Sequence, residues 1–324
     1  MKEKITVIIP CYNAESYIDK CIESLKNQTM KKFCIIFIDD ASDDKTADKI
    51  TQIIKDSKLN AKLIINKKNS GPAYSRNKGI EECETQYLTF CDCDDWYERD
   101  FLEVMLKALE KNKADVAFCG HKIVSESGKI EYRSITEKNC VLPPKMALKR
   151  NIDSMCMMLV RTQIMKDTLL PDIRNGEDMA VIPLIIAKSE FCVIVKDCLY
   201  NYYRRLTSAS QLPSANVVKS FKFSYRHICI NMPADFKEEL EYIGIRDYLY
   251  SSIITIYSIK NGKKKDEDAI ELVNEFEKVY PLWEKNPNVK ELPNYKRLVL
   301  FLVKKRWFFA IRFIAKLRNM YAKR

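Results

Sequence analysis

Three groups of carboxylates have the types and spacing to do chemistry: Asp39-Asp40 with Asp43-Asp44, Asp92 with Asp94-Asp95, and Glu177-Asp178. The first two follow short apolar runs. Carboxylates crowded at the end of such a run repel one another unless a cation lies among them. A divalent ion held by one or two carboxylates also neutralises phosphate charge on a bound ligand. Asp92 and Asp94 alternate in a stretch that reads as extended, so their side chains are expected to point the same way. Each group has a plainer structural reading. Asp92 to Asp95 would cap the helix expected near Asp100. Asp39 to Asp44 would be a solvated turn. Glu177-Asp178 would be favourable first-turn charge on a helix.

The elements that must position these groups alternate in type. Ile5 to Ile9, Phe33 to Ile38, Leu63 to Ile65, Tyr87 to Cys91 and Val116 to Cys119 read as strands. Between them lie helical patterns. Asn13 is expected to cap one that carries Tyr17, Cys21 and Leu25; another carries Ala47, Ile50, Ile53 and Ile54. Ser70-Gly71-Pro72 opens a third, with Pro in its first turn, and Phe101 to Leu109 is a fourth. This alternation predicts an α/β fold, a mainly parallel central sheet with flanking helices. Open sheets of that kind bind ligands beyond the carboxyl ends of their strands, where the first two acidic groups fall. Further on, Ser125 to Lys138 reads as a hairpin or excursion. Met155 to Val160 and Phe191 to Val195 read as strands, and Asn175-Gly176 as a turn into a helix ending at Ala187. From about Ala215 the chain is mainly helical, with Lys263 to Asp268 as a charged loop.

Composition narrows the chemistry. The chain has 324 residues, enough for about two domains. It has 7 Gly and no dinucleotide fingerprint or P-loop among them. It has 2 His, His121 and His227, which disfavours a His-based zinc site or a Ser-His-Asp triad. The 12 Cys lie scattered in apolar runs without a C-x-x-C pair, so free buried thiols in a reducing cytosol are expected. Met1 to Lys4 lead straight into the first strand without the length or cleavage site of a signal peptide. No stretch reaches the ~18 apolar residues of a membrane span.

The sequence resembles the family 2 glycosyltransferases, which have the nucleotide-sugar-binding fold called GT-A. The resemblance rests on Val7-Ile8-Ile9-Pro10-Cys11-Tyr12-Asn13, Ile38-Asp39-Asp40-Ala41-Ser42-Asp43, Gly71-Pro72-Ala73-Tyr74-Ser75-Arg76-Asn77, Phe90-Cys91-Asp92-Cys93-Asp94-Asp95 and Gly176-Glu177-Asp178. These segments occur in the family's order over roughly the first two thirds of the chain. Ala41 and Cys93 depart from the family's usual Gly and Ser. The resemblance implies a catalytic domain over residues 1–210, and the helical pattern beyond it gives a separate C-terminal region over 211–324. It implies that Pro10, Tyr12, Asp40, Arg76 and Asp92 bind the nucleotide. Tyr12 would stack on the base, and Asp40 would accept its imide N–H, which suits uracil. Arg76 would reach phosphate or a base carbonyl, an ordinary exposed Arg being the alternative, and Asp39 would orient the loop. Asp94 would hold Mn2+ or Mg2+, Asp178 would be the general base for an acceptor hydroxyl, and Glu177 would stand beside it. Tyr203-Arg204-Arg205 and Ser208-Ala209-Ser210 resemble the family's basic loop near the diphosphate.

The activity implied is inverting transfer of a hexosyl residue from a UDP-sugar to a glycan or lipid-linked acceptor in surface polysaccharide synthesis. A nucleotidyltransferase, or an inactive scaffold recruited to a membrane, is the alternative. No nucleic-acid partner is expected. Formal net charge is +11, and ten Lys or Arg with no acid lie from Tyr295 to Arg324, leaving 45 basic and 44 acidic residues elsewhere. Residues 296–324 are therefore expected to form a basic amphipathic helix on an anionic membrane, with Arg297, Lys304, Lys305, Arg312 and Lys316 on neighbouring parts of one face. That would make the protein cytoplasmic and peripheral on the inner face of the cell membrane. The alternative is a terminal helix packed on the core.

Overall fold

The computed structural model describes residues 3–57, 59–173, 175–205, 214–259 and 265–321, with side chains up to 315. It divides into two compact units, Met1–Ser208 and Ala209–Arg324. The expected Ser208-Ala209-Ser210 loop lies outside the described residues.

The first unit is built on a ten-stranded sheet. Its strands are β1 (Ile5–Cys11), β2 (Cys34–Asp39), β3 (Asn60–Ile65), β4 (Tyr87–Phe90), β5 (Trp96–Tyr97), β6 (Val116–Ser125), β7 (Ile130–Arg133), β8 (Cys140–Leu142), β9 (Met158–Arg161) and β10 (Cys192–Arg204). Their order is β3-β2-β1-β4-β9-β6-β10-β5, with β7 beside β6 and β8 beside β10. Around it lie α1 (Ile18–Lys26), α2 (Thr46–Asp56), α3 (Pro72–Glu81), α4 (Phe101–Asn112), α5 (Pro144–Ala147), α6 (Thr162–Lys166) and α7 (Glu177–Lys188). Ile5, Val7, Ile8 and Ile9 of β1 are all buried, as a strand covered on both faces requires.

Register explains where the chemistry collects. β1 pairs in parallel with β2, Cys11 beside Asp39, and with β4, Ile8 beside Phe90. The three strands therefore deliver Tyr12, Asp40 and Asp92 to one edge. β9 is antiparallel to β4, Leu88 beside Val160, so its amino end reaches that same edge. A short 3-10 turn, Met155–Met157, leads into it. Helix α3 lies close on β1, and a Cβ on Gly79 would sit 2.4 Å from Ile8 Cγ2.

Several local expectations change. Asn13 does not cap α1, whose cap position is Tyr17. Asn13 has a φ of 48° and accepts from the Asp43 amide through Oδ1 at 2.9 Å, tying two loops together. β4 stops at Phe90, and Asp92 to Asp95 is a turn closed by the Asp95 amide on the Asp92 carbonyl at 3.0 Å. The strand alternation expected there is absent because consecutive Asp residues favour turns. They do not cap α4 either: its cap position is Asp100, with no side-chain cap hydrogen bond. The first residues of the expected charged loop that are described, Lys265 to Asp268, open a helix, three acids suiting its first turn.

The second unit is helical: α8 (Ala215–Asn231), α9 (Lys237–Ile243), a π-helical stretch Gly244–Leu249, α10 (Tyr250–Ser258), α11 (Lys265–Val279), α12 (Asn294–Lys304) and α13 (Phe308–Tyr321). In place of the single basic helix expected over 296–324, the described residues up to 321 form two helices. α12 ends with the Trp307 amide on the Leu302 carbonyl at 2.9 Å and the Arg306 amide on the Val303 carbonyl at 3.0 Å, Arg306 taking a φ of 59°. This is a Schellman end with Arg where Gly is usual. The turn separates the basic residues expected on one face. Lys304 pairs with Glu277 and Glu284, Arg306 with Glu277 at 2.7 Å, and Arg312 with Asp266. Val299, Leu300, Val303 and Ile311 are buried, whereas Phe309 and Phe313 are 72% and 63% exposed.

Ala41 carries a φ of 57°, in the left-handed region, at the turn after β2. An L-residue there costs about 1–2 kcal/mol, while Gly loses about 0.5–1 kcal/mol more backbone freedom on folding. Ala41→Gly should therefore raise stability by about 0.5–1 kcal/mol. A higher urea midpoint at unchanged slope is the expected result.

Candidate active site

Two loops build one side of the site. Asp39 accepts from the Ser42 amide at 3.1 Å and from the Ser42 hydroxyl at 2.5 Å, and so orders the turn that follows. Asp40 is buried, and its carboxylate accepts from Asn66 Nδ2 at 2.7 Å, the Gly71 amide at 2.7 Å and the Ser70 amide at 3.0 Å. These contacts pin the start of α3, where Gly71 takes a φ of 90°. Tyr12 is 41% exposed and free to present its ring, with its hydroxyl 3.4 Å from Asp43. Pro10 lies behind it, partly exposed at the end of β1.

Across the edge lies the turn after β4. Asp95 is buried, with Tyr200 Oη donating to Oδ2 at 2.5 Å and the Tyr203 amide to Oδ1 at 2.7 Å. Burial and the neighbouring Asp92 and Asp94 push its carboxyl well above the usual range. Its task is to tie the turn to β10. Asp94 remains partly exposed, its pKa raised by burial and Asp92 and held back by Arg205, whose Nη2 lies 2.5 Å from it. Arg205 also stands 4.5 Å from the Tyr17 ring centroid. Among the described residues no group of three or more His, Cys, Asp or Glu is arranged to hold a metal. Two carboxylates nevertheless suit Mg2+ or Mn2+, which take few protein ligands and complete their shell with phosphate and water. A desolvated Asp94 beside Asp92 is a place that calls for positive charge, so the residues fit such an ion.

Arg76 is 5% exposed, which removes the reading of an ordinary surface Arg. The structure turns it away from solvent. Its Nη2 lies 2.6 Å from Asp92 Oδ1 and its Nη1 lies 2.8 Å from Glu177 Oε1. Asn77, next along α3, donates to the Leu170 carbonyl at 2.8 Å and accepts from the Leu170 amide at 2.9 Å. Together they bind α3 to the segment before α7.

Helix α7 starts after Gly176, whose φ of 88° only Gly adopts readily. Glu177 is buried on Arg76. Asp178 is half-buried and accepts from the Met155 amide at 2.8 Å. Desolvation, then Glu177, raise its pKa to about 7, with Arg76 and the Met155 amide acting against them. A carboxylate near neutrality is matched to accepting a proton from a hydroxyl.

The structure thus brings Pro10, Tyr12, Asp40, Asp92, Asp94, Arg76, Glu177 and Asp178 to one sheet edge. Asn66, Tyr200 and the Met155 amide were not expected. Asn66 directly follows β3 and was findable by the same strand-end logic. Tyr200 and the Met155 amide carried no sequence signal, because their roles arise from pairing far along the chain.

The family described as glycosyl transferase family 2 matches residues 6–167. The chain is 29% identical to the glycosyltransferase GlyA of Streptococcus pneumoniae over 65% of its own length but spans only 32% of that relative. It is 27% identical to TuaG of Bacillus subtilis, named for teichuronic acid biosynthesis, over 70% of this chain and 89% of the relative. The crystal structure of S. aureus TarS 1-349 with UDP-GlcNAc superposes with a TM-score of 0.74 at 18% identity, covering 98% of this chain and 92% of that one.

Asp178 generates a stability prediction. Its folded pKa of about 7 lies above the usual Asp value, so the folded chain holds a proton that the unfolded chain releases. That contribution is complete below about pH 4 and is lost as pH rises through about 7. Asp178→Asn should therefore be more stable than wild type at pH 8, by about 1–3 kcal/mol, with the gap closing toward pH 4. Parallel urea curves at both pH values check the sign.

Proposed function

The chain belongs to glycosyl transferase family 2, and from that premise we propose that it moves a hexosyl residue from a UDP-sugar to a hydroxyl of a glycan or lipid-linked acceptor, with inversion. The observation that carries this reading is Asp178, partly accessible and poised near neutrality, bound through Glu177 and Arg76 to the strand edge that would hold the donor. Surface-polysaccharide assembly is supported by the name of TuaG, and a uridine nucleotide by the UDP-GlcNAc complex of TarS.

In the proposed reaction Pro10, Tyr12, Asp40 and Asp92 seat the nucleotide. The acceptor oxygen attacks the anomeric carbon from the face opposite UDP. Asp178 takes its proton, and the bond from the anomeric carbon to the diphosphate oxygen breaks with its electron pair leaving on UDP. Removing the proton during attack is what makes a sugar hydroxyl an adequate nucleophile. Glu177, buried on Arg76, lies beside the base and would support its position. Asp94, with Asp92 beside it, would hold Mg2+ or Mn2+. Such an ion, when bound, would neutralise charge on the departing diphosphate. Arg205 already supplies positive charge at that carboxylate.

A screen of nucleotide sugars scored by UDP release tests the donor class, with and without EDTA. Asp94→Asn should remove the metal requirement together with most turnover, while Asp178→Asn should keep UDP binding and lose about 10²–10⁴-fold in rate. Equal UDP affinity with and without EDTA, together with full activity of the Asp94 variant, would sink the metal assignment. Near-normal transfer by Asp178→Asn would move the base elsewhere.

We further propose that the second unit attaches the protein peripherally to the inner face of the membrane. No described helix is long and apolar enough to cross a membrane. Leu298, Phe301, Trp307, Phe309 and Phe313 are exposed on α12, α13 and the turn between them, with Lys305 in that turn. Exposed aromatics beside basic residues suit an anionic bilayer surface. Removing everything after Tyr295 would also strip buried Val299, Leu300 and Ile311 from the unit, so point substitutions are the cleaner probe. Phe309→Ser with Phe313→Ser should abolish sedimentation with phosphatidylglycerol vesicles at low salt and leave the thermal midpoint unchanged. A wild-type chain that ignores those vesicles would remove the membrane from this reading.

A further inference from the structure

The arrangement around Arg76 goes beyond nucleotide binding. Its guanidinium is buried, it touches Asp92 on the donor side and Glu177 on the acceptor side, and its Nε finds no hydrogen-bond partner. A buried charged group that leaves one N–H unpaired is held for its other contacts. Both lie at the ends of a planar fork, which fixes the distance and angle between the turn after β4 and the first turn of α7. The groups facing Asp178 are Glu177 on α7, Arg76 on α3, Asp92 on the turn after β4 and Cys156 before β9. Two of the four are carboxylates, Cys156 is a thiol whose pKa burial pushes well above its usual value, and Arg76 is the cation among them.

We infer that Arg76 is a positioning residue of the transfer reaction, whose buried guanidinium holds Asp178 aligned at the start of α7 while coupling it to the donor-side Asp92. The inference rests on the reading of Asp178 as general base. Charge and geometry are separable in it. The charge lowers the cost of ionising Asp178 among Glu177 and Asp92, and the fork holds the first turn of α7 in place.

The test labels aspartate carboxyl carbons with ¹³C and follows the Asp178 resonance, assigned by its loss in Asp178→Asn, as pH is varied without substrate. In Arg76→Met the midpoint should rise by about 1–3 units, the effect of losing one neighbouring opposite charge. In Arg76→Lys the charge stays, so the midpoint should stay within about half a unit, while UDP release falls at every pH because an ammonium cannot span both carboxylates. UDP affinity by calorimetry should change only a few-fold in either variant. If Arg76→Met does not fold, the pair Arg76→Met with Glu177→Gln restores charge balance, and Asp178 in it should titrate near the wild-type value. An Asp178 midpoint that is unmoved in Arg76→Met overturns the inference. Should Asp178→Asn turn over normally, the general-base reading falls, while the titration still decides whether Arg76 governs the ionisation of Asp178.

Discussion

Like charge crowded onto one sheet edge is the constraint to which the catalytic half of this molecule answers. Asp92, Asp94, Asp95, Glu177 and Asp178 converge there, and carboxylates at close range disfavour one another's ionisation. Each has a compensator, and Asp92 and Glu177 share theirs. Arg76 serves Asp92 and Glu177, Arg205 serves Asp94, Tyr200 and the Tyr203 amide serve Asp95, and the Met155 amide serves Asp178. Because the compensators differ in strength, the five acids are not equivalent.

Burial then sorts them by task. Asp95 is closed off, its carboxyl pushed well above the usual range by burial, and is suited to holding β10 against the turn. Asp94 keeps some exposure and one exchangeable guanidinium, suited to a position that alternates between partners. Asp178 has a single backbone donor and a balance of opposing neighbours that leaves it near neutrality. The same residue type thus meets three surroundings: a closed strut at Asp95, a partly exposed ion pair at Asp94 and a half-buried carboxyl on a backbone donor at Asp178. The parallel strands β1, β2 and β4 supply the donor side of this edge, and the antiparallel β9 supplies the Met155 amide on the other.

The second unit solves a different problem. Its net positive tail is partly neutralised by acids of the same unit, Glu277, Glu284 and Asp266, which lie outside the tail in sequence. What remains at its surface is aromatic as well as basic. The turn at Arg306 allows α12 and α13 each to bury a face while both leave large apolar groups outside. A continuous helix would have placed its single stripe on one side.

Much of the first unit was legible without coordinates. Apolar runs of strand length alternating with helical patterns determine a covered parallel sheet, since no other arrangement buries both kinds of face. The carboxylates at strand ends follow, because parallel strands send their carboxyl ends to one edge. The start of α7 was likewise legible, from Gly176 before two acids. What tertiary structure alone decided is who meets whom. Nothing local in Ala73 to Asn77 says that Arg76 will be buried against Glu177, 101 residues away. Nothing near Asp94 announces Arg205, and nothing near Asp178 announces the Met155 amide. The tail illustrates the same limit: its composition was plain, but the ion pairs that neutralise it and the turn that divides it depend on α11 packing nearby. Local pattern sets elements and edges because those depend on periodicity; ionisation and alignment depend on distant partners brought within a few ångströms.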